Sequence, residues 1–337
     1  MTIGKNFIST QDWSKNELDE LLQSASDIKK SPYNNSLKNK NLVMLFFNPS
    51  LRTRVSFEVA MNQLGGSAVS LNSGQDSWKL EHVEGAVMDH STTEHIKDAA
   101  RVLSRYADAI AIRCFPSMNS WEEDRKDLVM GSFAKYATVP VINMESSMHH
   151  PCQALADIMT VKEHAGNLKG KKLVLAWSNH PRQLPTAVPN SIALIASRFG
   201  MDTVIAHPKD YELDSDVMHA VEENCRANGS TFKVVNKLDD GLKGADFVYA
   251  KSWGSAKYYG RPDSEKSVRA KLRGWKITRQ NMLLTKKARF MHCLPIRRNV
   301  EADDEVIDSS DSLVYEQAEN RLHVQKALLN LLIGGGS

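Results

Sequence analysis

Apolar runs alternate along the chain with stretches in which apolar residues recur at helical spacing. Leu42 to Phe47 is a continuous apolar run, as expected of a strand buried on both faces, and Asn48 and Pro49 break it. Ser50 then reads as the cap of a helix whose apolar face is Val55, Phe57, Val59 and Ala60 and which stops at Gly65-Gly66. In the first half the pattern predicts helices over 14–29, 51–64, 93–106 and 121–136, and strands over 41–47, 67–72, 108–113 and 139–144. A helix over 151–165 leads to a second series, with strands over 172–177, 202–206, 231–235, 246–250 and 289–293. Its helices are predicted over 184–199, 214–227 and 278–284, and an amphipathic helix over 315–333 closes the chain.

Strands that alternate with helices imply right-handed crossovers and a mostly parallel sheet. At 337 residues the chain exceeds what one core comfortably holds. The expected fold class is therefore α/β, with two doubly wound parallel-sheet domains bridged by long helices. The first spans 1–150, with helix 315–333 packing back onto it, and the second spans 151–314. Ligands in such sheets sit at the carboxyl ends of the strands.

Composition narrows the function without naming it. Hydrophobic residues at 42%, charged residues at 25% and a net charge of +3 without long basic runs give no case for nucleic acid as a partner. No apolar stretch reaches bilayer length and Met1 to Gln11 lacks a secretion pattern, so no membrane partner and a cytoplasmic location are expected. Cys114, Cys152, Cys225 and Cys293 are too scattered for a disulfide framework, and no spacing suggests a metal. The turn Ser178-Asn179-His180-Pro181-Arg182 has no glycine fingerprint, so no nicotinamide or other cofactor is expected. Gly334-Gly335-Gly336-Ser337 reads as a flexible tail.

The candidate chemistry lies at predicted strand ends. Ser50-Leu51-Arg52-Thr53-Arg54 opens a helix behind a buried strand, where N–H groups and arginines can hold a phosphate, although an Arg-x-Arg turn is equally readable as a solvated basic surface. Arg113 ends the next strand, His150-Pro151-Cys152-Gln153 opens a helix, His292-Cys293-Leu294-Pro295 forms a turn, and Glu319-Asn320-Arg321 lies near the end. Nothing supplies Cys293 with the base of a nucleophile, and the histidines are as readable as helix caps. In this order the five motifs resemble those of the aspartate and ornithine carbamoyltransferases. The resemblance implies that Ser50, Leu51, Arg52, Thr53, Arg54, Arg113 and Arg321 bind carbamoyl phosphate. It further implies that Arg113 and His150 polarise the carbamoyl carbonyl, Gln153 holds the carbamoyl nitrogen, and Cys293 and Leu294 aim the attacking δ-amine. Domain 1–150 becomes the carbamoyl-phosphate half and 151–314 the acceptor half. A homotrimer follows by the same route, with Trp78 reaching the neighbouring subunit's site.

The acceptor is read from charge. Ornithine-type members carry an Asp after the strand over 246–250, whereas this chain places Lys251 there, in Ala-Lys-Ser-Trp. A lysine repels an α-ammonium and suits a carboxylate. That reversal, with Glu145 and the run Leu294-Pro295-Ile296-Arg297-Arg298-Asn299, resembles the N-acylornithine branch and implies acceptor contacts from Lys251, Glu145, Leu294 and Arg298. Glu301 stands where acetyl-type members have a carboxylated lysine. Thr93, in Ser91-Thr92-Thr93-Glu94-His95, stands where those members carry a Glu that would repel a succinyl tail, and Arg182 suits the extra carboxylate. The expected acceptor is N-succinylornithine in arginine biosynthesis. N-acetylornithine and a non-catalytic carbamoyl-phosphate-binding paralogue are the alternatives.

Overall fold

The computed structural model describes residues 5–335, so Gly336 and Ser337 of the expected tail lie outside the described residues. The elements run α1 (Lys15–Lys30), β1 (Asn41–Phe46), α2 (Leu51–Gln63), β2 (Ser67–Asn72), β3 (Leu80–Glu81), β4 (Glu94–His95), α3 (Ile96–Tyr106) and β5 (Ala109–Arg113). They continue with α4 (Trp121–Asp124), α5 (Leu128–Tyr136), β6 (Val141–Glu145), α6 (Pro151–Ala165), β7 (Lys172–Trp177), α7 (Ala187–Arg198), β8 (Asp202–Ala206), α8 (Ser215–Asn228) and β9 (Phe232–Val235). Then come α9 (Leu238–Leu242), β10 (Phe247–Lys251), α10 (Pro262–Arg269), α11 (Arg279–Leu283), β11 (Arg289–Met291), α12 (Asp304–Ile307) and α13 (Val314–Ile333).

The chain divides into two compact units. One comprises 1–116, 122–152 and 321–337, the other 117–121 and 153–320. The first holds a parallel sheet in the order β2-β1-β5-β6, the second a parallel sheet in the order β11-β10-β7-β8-β9. In each order the winding reverses at one place, between β1 and β5 in the first sheet and between β7 and β10 in the second. At such a switch point the two crossovers leave in opposite directions and open a crevice at the strand ends. Arg113 ends β5 and Lys251 ends β10, one at each switch point.

The central strands of both sheets are buried on both faces, as their near-continuous apolar runs require, while the edge strands β2 and β9 are partly exposed. In the first, Leu45, Ile110, Ile112 and Val141 pack with Ile96, Ala100, Met130 and Phe133 from α3 and α5. In the second, Val174, Val204, Val248 and Phe290 pack with Leu242, Val306 and Val314. Among the described residues no helix is long and apolar enough to cross a membrane.

Three local expectations change. The buried face of α2 is Thr53, Phe57, Ala60 and Met61, while Val55 faces solvent, because a helix with a period of 3.6 cannot bury positions 55 and 57 together. The helix expected over 121–136 is broken at Asp127, which takes a left-handed φ of 51°. Its carboxylate accepts from the Ser146 hydroxyl and from Ser147 N at 3.3 Å, so it serves the loop after β6. Finally, β11 stops at Met291, because the His292 ring accepts from Leu294 N at 2.9 Å and curls the chain out of the sheet.

The glycine stop of α2 behaves as expected. Gly65 has φ 80°, and a Cβ there would lie 2.9 Å from Asn35 Oδ1 and 3.2 Å from the Asn35 Cα. Gly65→Ala is expected to lower unfolding stability by about 1–2 kcal/mol from the left-handed backbone alone, with the contact adding to it. A urea midpoint equal to wild type would contradict this.

Candidate active site

In the first unit, Asn48 leaves β1 and its side chain accepts from Phe115 N at 2.7 Å, which fixes the turn into α2 beside the end of β5. Ser50 caps α2 by accepting from Thr53 N at 3.3 Å, and no acidic residue sits in the first turn to offset the helix dipole. Thr53 is buried, and its hydroxyl accepts from Arg321 at 3.1 Å. Arg52 is half-buried and Leu51 exposed on the same turn. Arg54 points elsewhere, donating to Ser70 at 2.7 Å and lying 3.7 Å from Glu58.

Arg113 is only 8% exposed, stacks 4.4 Å from the Phe115 ring and forms an ion pair with Glu145 at the end of β6. His150 Nε2 lies 3.6 Å from the same Glu145 oxygen. One carboxylate thus faces the two side chains expected to polarise a carbonyl. Among the described residues no acceptor reaches the buried Arg113 Nε, and a buried guanidinium N–H without a protein acceptor is costly unless a ligand uses it. The neighbouring His149 is also buried, and burial pushes its ring down to about 4. Trp78 and Thr93, both exposed, lie on the polar segment that follows β2.

In the second unit, the turns after β7, β10 and β11 carry the remaining residues. The His180 ring accepts from Arg297 Nε at 2.8 Å, and its Nδ1 lies 3.0 Å from both the N–H and the carbonyl oxygen of Arg182. Burial lowers the His180 pKa and favours the neutral form. Arg269, buried with its partner Glu265 at 2.7 Å, donates to His180 O at 3.2 Å, Ser252 Oγ at 3.0 Å and Trp253 O at 2.6 Å. It therefore locks the two turns at the switch point together. Lys251 is half-buried between them, and the Arg182 side chain is exposed.

Glu301 is buried and accepts from Arg297 N at 2.8 Å, with His292 Nε2 at 3.4 Å. Burial alone would raise its carboxyl, but His292, Lys251 and the Arg297 N–H hold it down at about 2. Cys293 and Leu294 are half-buried on the turn that follows His292. Gln153 is buried in the first turn of α6 and donates to Asp157 at 2.7 Å. Arg298 is committed at the surface to Asp304 at 2.8 Å and Asp308 at 2.7 Å, so the guanidinium that meets the acceptor-side turns is that of Arg297. Among the described residues no group of three or more His, Cys, Asp or Glu is placed to hold a metal.

Residues 5–163 match the aspartate/ornithine carbamoyltransferase carbamoyl-P binding domain, and residues 170–332 match the Asp/Orn binding domain of the same family. The chain belongs to the aspartate/ornithine carbamoyltransferase family. Among carbamoyltransferases it is 47% identical to an N-acetylornithine carbamoyltransferase of Xanthomonas campestris, over 98% of both chains. It is 37% identical to an N-succinylornithine carbamoyltransferase of Bacteroides thetaiotaomicron, over 98% of this chain and 99% of that one. A solved N-acetyl-L-ornithine transcarbamylase, in which one glutamate is replaced by alanine, is complexed with carbamyl phosphate and N-succinyl-L-norvaline. It superposes with a TM-score of 0.96 at 47% identity, covering 98% of this chain and all of that one.

Two residues on these turns escape a reading of motifs. Arg297 and His180 sit inside the quoted segments, but nothing in a linear sequence separates Arg297 from Arg298. The aspartates that claim Arg298, six and ten residues further on, were the available signal.

The His149 shift sets a pH dependence of stability. Its folded pKa of about 4 lies below the ordinary 6.5, so between those values the unfolded chain binds more protons and stability falls as pH drops. Passing through that window should cost wild type about 3 kcal/mol more than His149→Gln, at 1.36 kcal/mol per pKa unit. Parallel slopes of stability against pH for the two proteins would remove His149 as the cause.

Proposed function

We propose that the protein transfers the carbamoyl group of carbamoyl phosphate to the δ-amine of an N-acylornithine, giving N-acylcitrulline and phosphate. The amine lone pair attacks the carbonyl carbon, the C–O bond to phosphorus breaks, and phosphate departs with that electron pair. Ser50, Arg52, Thr53 and Arg321 bind the phosphate, while Arg113 and His150 donate to the oxygen that becomes an oxyanion. Removing one such donor typically costs ~10²–10³ in rate. Gln153 holds the carbamoyl nitrogen, Cys293 and Leu294 orient the amine, and the departing phosphate takes its proton.

The observation that carries the acceptor is Lys251, which ends β10 at the switch point of the second sheet, with Arg182 and Arg297 on the neighbouring turns. The α-ammonium of free ornithine is repelled there, whereas acylation removes that charge and leaves only the α-carboxylate to meet the cation. The acyl group we assign is succinyl, because Thr93 carries no charge to repel a second carboxylate and Arg182 is exposed to meet it. Acetyl is the second reading, supported by 47% identity to an acetyl-type relative against 37% to a succinyl-type one. A homotrimer in the cytoplasm, acting in arginine biosynthesis, with the 64%-exposed Trp78 covering a neighbour's site, completes the proposal.

Product formation with carbamoyl phosphate and, in parallel, N-succinylornithine, N-acetylornithine and ornithine tests it. Wild type is expected to use N-succinylornithine and to leave ornithine untouched, and Thr93→Glu to lose the succinyl substrate selectively. Preference for N-acetylornithine would establish the second reading, and use of ornithine alone would overturn the role given to Lys251.

A further inference from the structure

The second unit contains a buried chain of hydrogen bonds that ends on Gln153. His292 N donates to Gln317 Oε1 at 3.0 Å, which fixes the Gln317 amide so that its Nε2 faces Asp157, to whose Oδ1 it donates at 2.6 Å. Gln153 Nε2 donates to that same oxygen at 2.7 Å, from one helical turn earlier in α6. His292, Gln317 and Asp157 are fully buried and Gln153 is 2% exposed. The Tyr249 hydroxyl, which burial and then the neighbouring Asp157 and Cys293 raise well above its ordinary pKa, stands beside the chain and stays protonated.

An ionised aspartate only accepts hydrogen bonds, so each amide that approaches it must present N–H. A free glutamine amide can flip and offer either end to a ligand, but this one cannot. We propose that Asp157, itself held by Gln317, is a positioning residue that locks the Gln153 amide with its carbonyl oxygen turned away from Asp157, as the acceptor for the N–H of a carbamoyl group. The inference rests on the carbamoyl-transfer reading and assigns the selection of –NH2 over a methyl of the same size to a residue that never touches substrate. Two bonds onto one oxygen, one of them from an amide itself anchored by a backbone N–H, also resist rotation more firmly than a single one. The outer end of the chain is the turn that carries Cys293 and Leu294, so the same bonds hold the backbone from which those residues project.

Calorimetric binding of carbamoyl phosphate, acetyl phosphate and inorganic phosphate to the full chain tests the lock. Wild type should bind carbamoyl phosphate more tightly than acetyl phosphate, in which a methyl replaces the amine. Asp157→Leu should weaken carbamoyl phosphate by about 2- to 10-fold, the value of a hydrogen bond between neutral groups, and bring it level with acetyl phosphate. Inorganic phosphate should be unaffected, and Asp157→Asn, which keeps an acceptor oxygen, should recover most of the discrimination. Equal weakening of all three ligands, or discrimination that survives in Asp157→Leu, would overturn the proposal. Should Asp157→Leu fail to fold, Gln317→Met removes the outer anchor at similar volume. A smaller but still selective loss supports the lock, and an unselective or absent one sinks it. Turnover judges the underlying reading separately: a wild type that discriminates between the two acyl phosphates yet transfers to no acceptor keeps the lock and loses the transferase.

Discussion

Every strand pairing in the two main sheets is parallel, and everything else about the site follows from that constraint. Parallel strands need crossovers, and right-handed crossovers send all carboxyl ends to one edge. Each sheet reverses its winding once, and the residues proposed to carry the chemistry lie at those reversals: Ser50 to Thr53 and Arg113 in one sheet, Lys251 in the other. The polar turns are tolerated there because the apolar residues of the strands below them are already covered by helices.

Placing charges at those ends creates an electrostatic problem that the fold solves locally. Arg113 is buried against Glu145, Arg269 against Glu265, and Glu301 sits among His292, Lys251 and the Arg297 N–H. Removing one partner from such a pair strands the other charge in a medium that solvates it poorly. Glu145 is the telling case. It neutralises Arg113 while lying close to His150, and so keeps both side chains ordered where positive charge would otherwise concentrate.

How much of this was visible along the chain depends on the distance over which each signal acts. The cap at Ser50, the stop at Gly65 and the apolar run of β1 are local, and they could be read directly. The break at Asp127 was not legible, because its carboxylate belongs to Ser146 and Ser147, 19 and 20 residues later. The Val55 expectation failed for a different reason: counting apolar residues ignored the helical period, which gives that face to Thr53 and Met61. Lys251 stood out because its charge is the reverse of what an amino-acid ammonium needs. Asp157 and Gln317 did not, because their meaning lies in a bond between residues 160 positions apart.

The arrangement of turns also bears on how such enzymes diverge. Of the groups proposed to meet an acceptor, Arg182, Leu294 and Arg297 project from connections, Lys251 ends β10 and Thr93 lies on an exposed segment, while the central strands beneath are buried. A change of acceptor in this architecture can be made at side chains outside the apolar core of the sheet. A lineage can therefore move between substrates by single steps, each intermediate remaining a folded protein, and overall sequence likeness becomes a weak guide to which molecule is used.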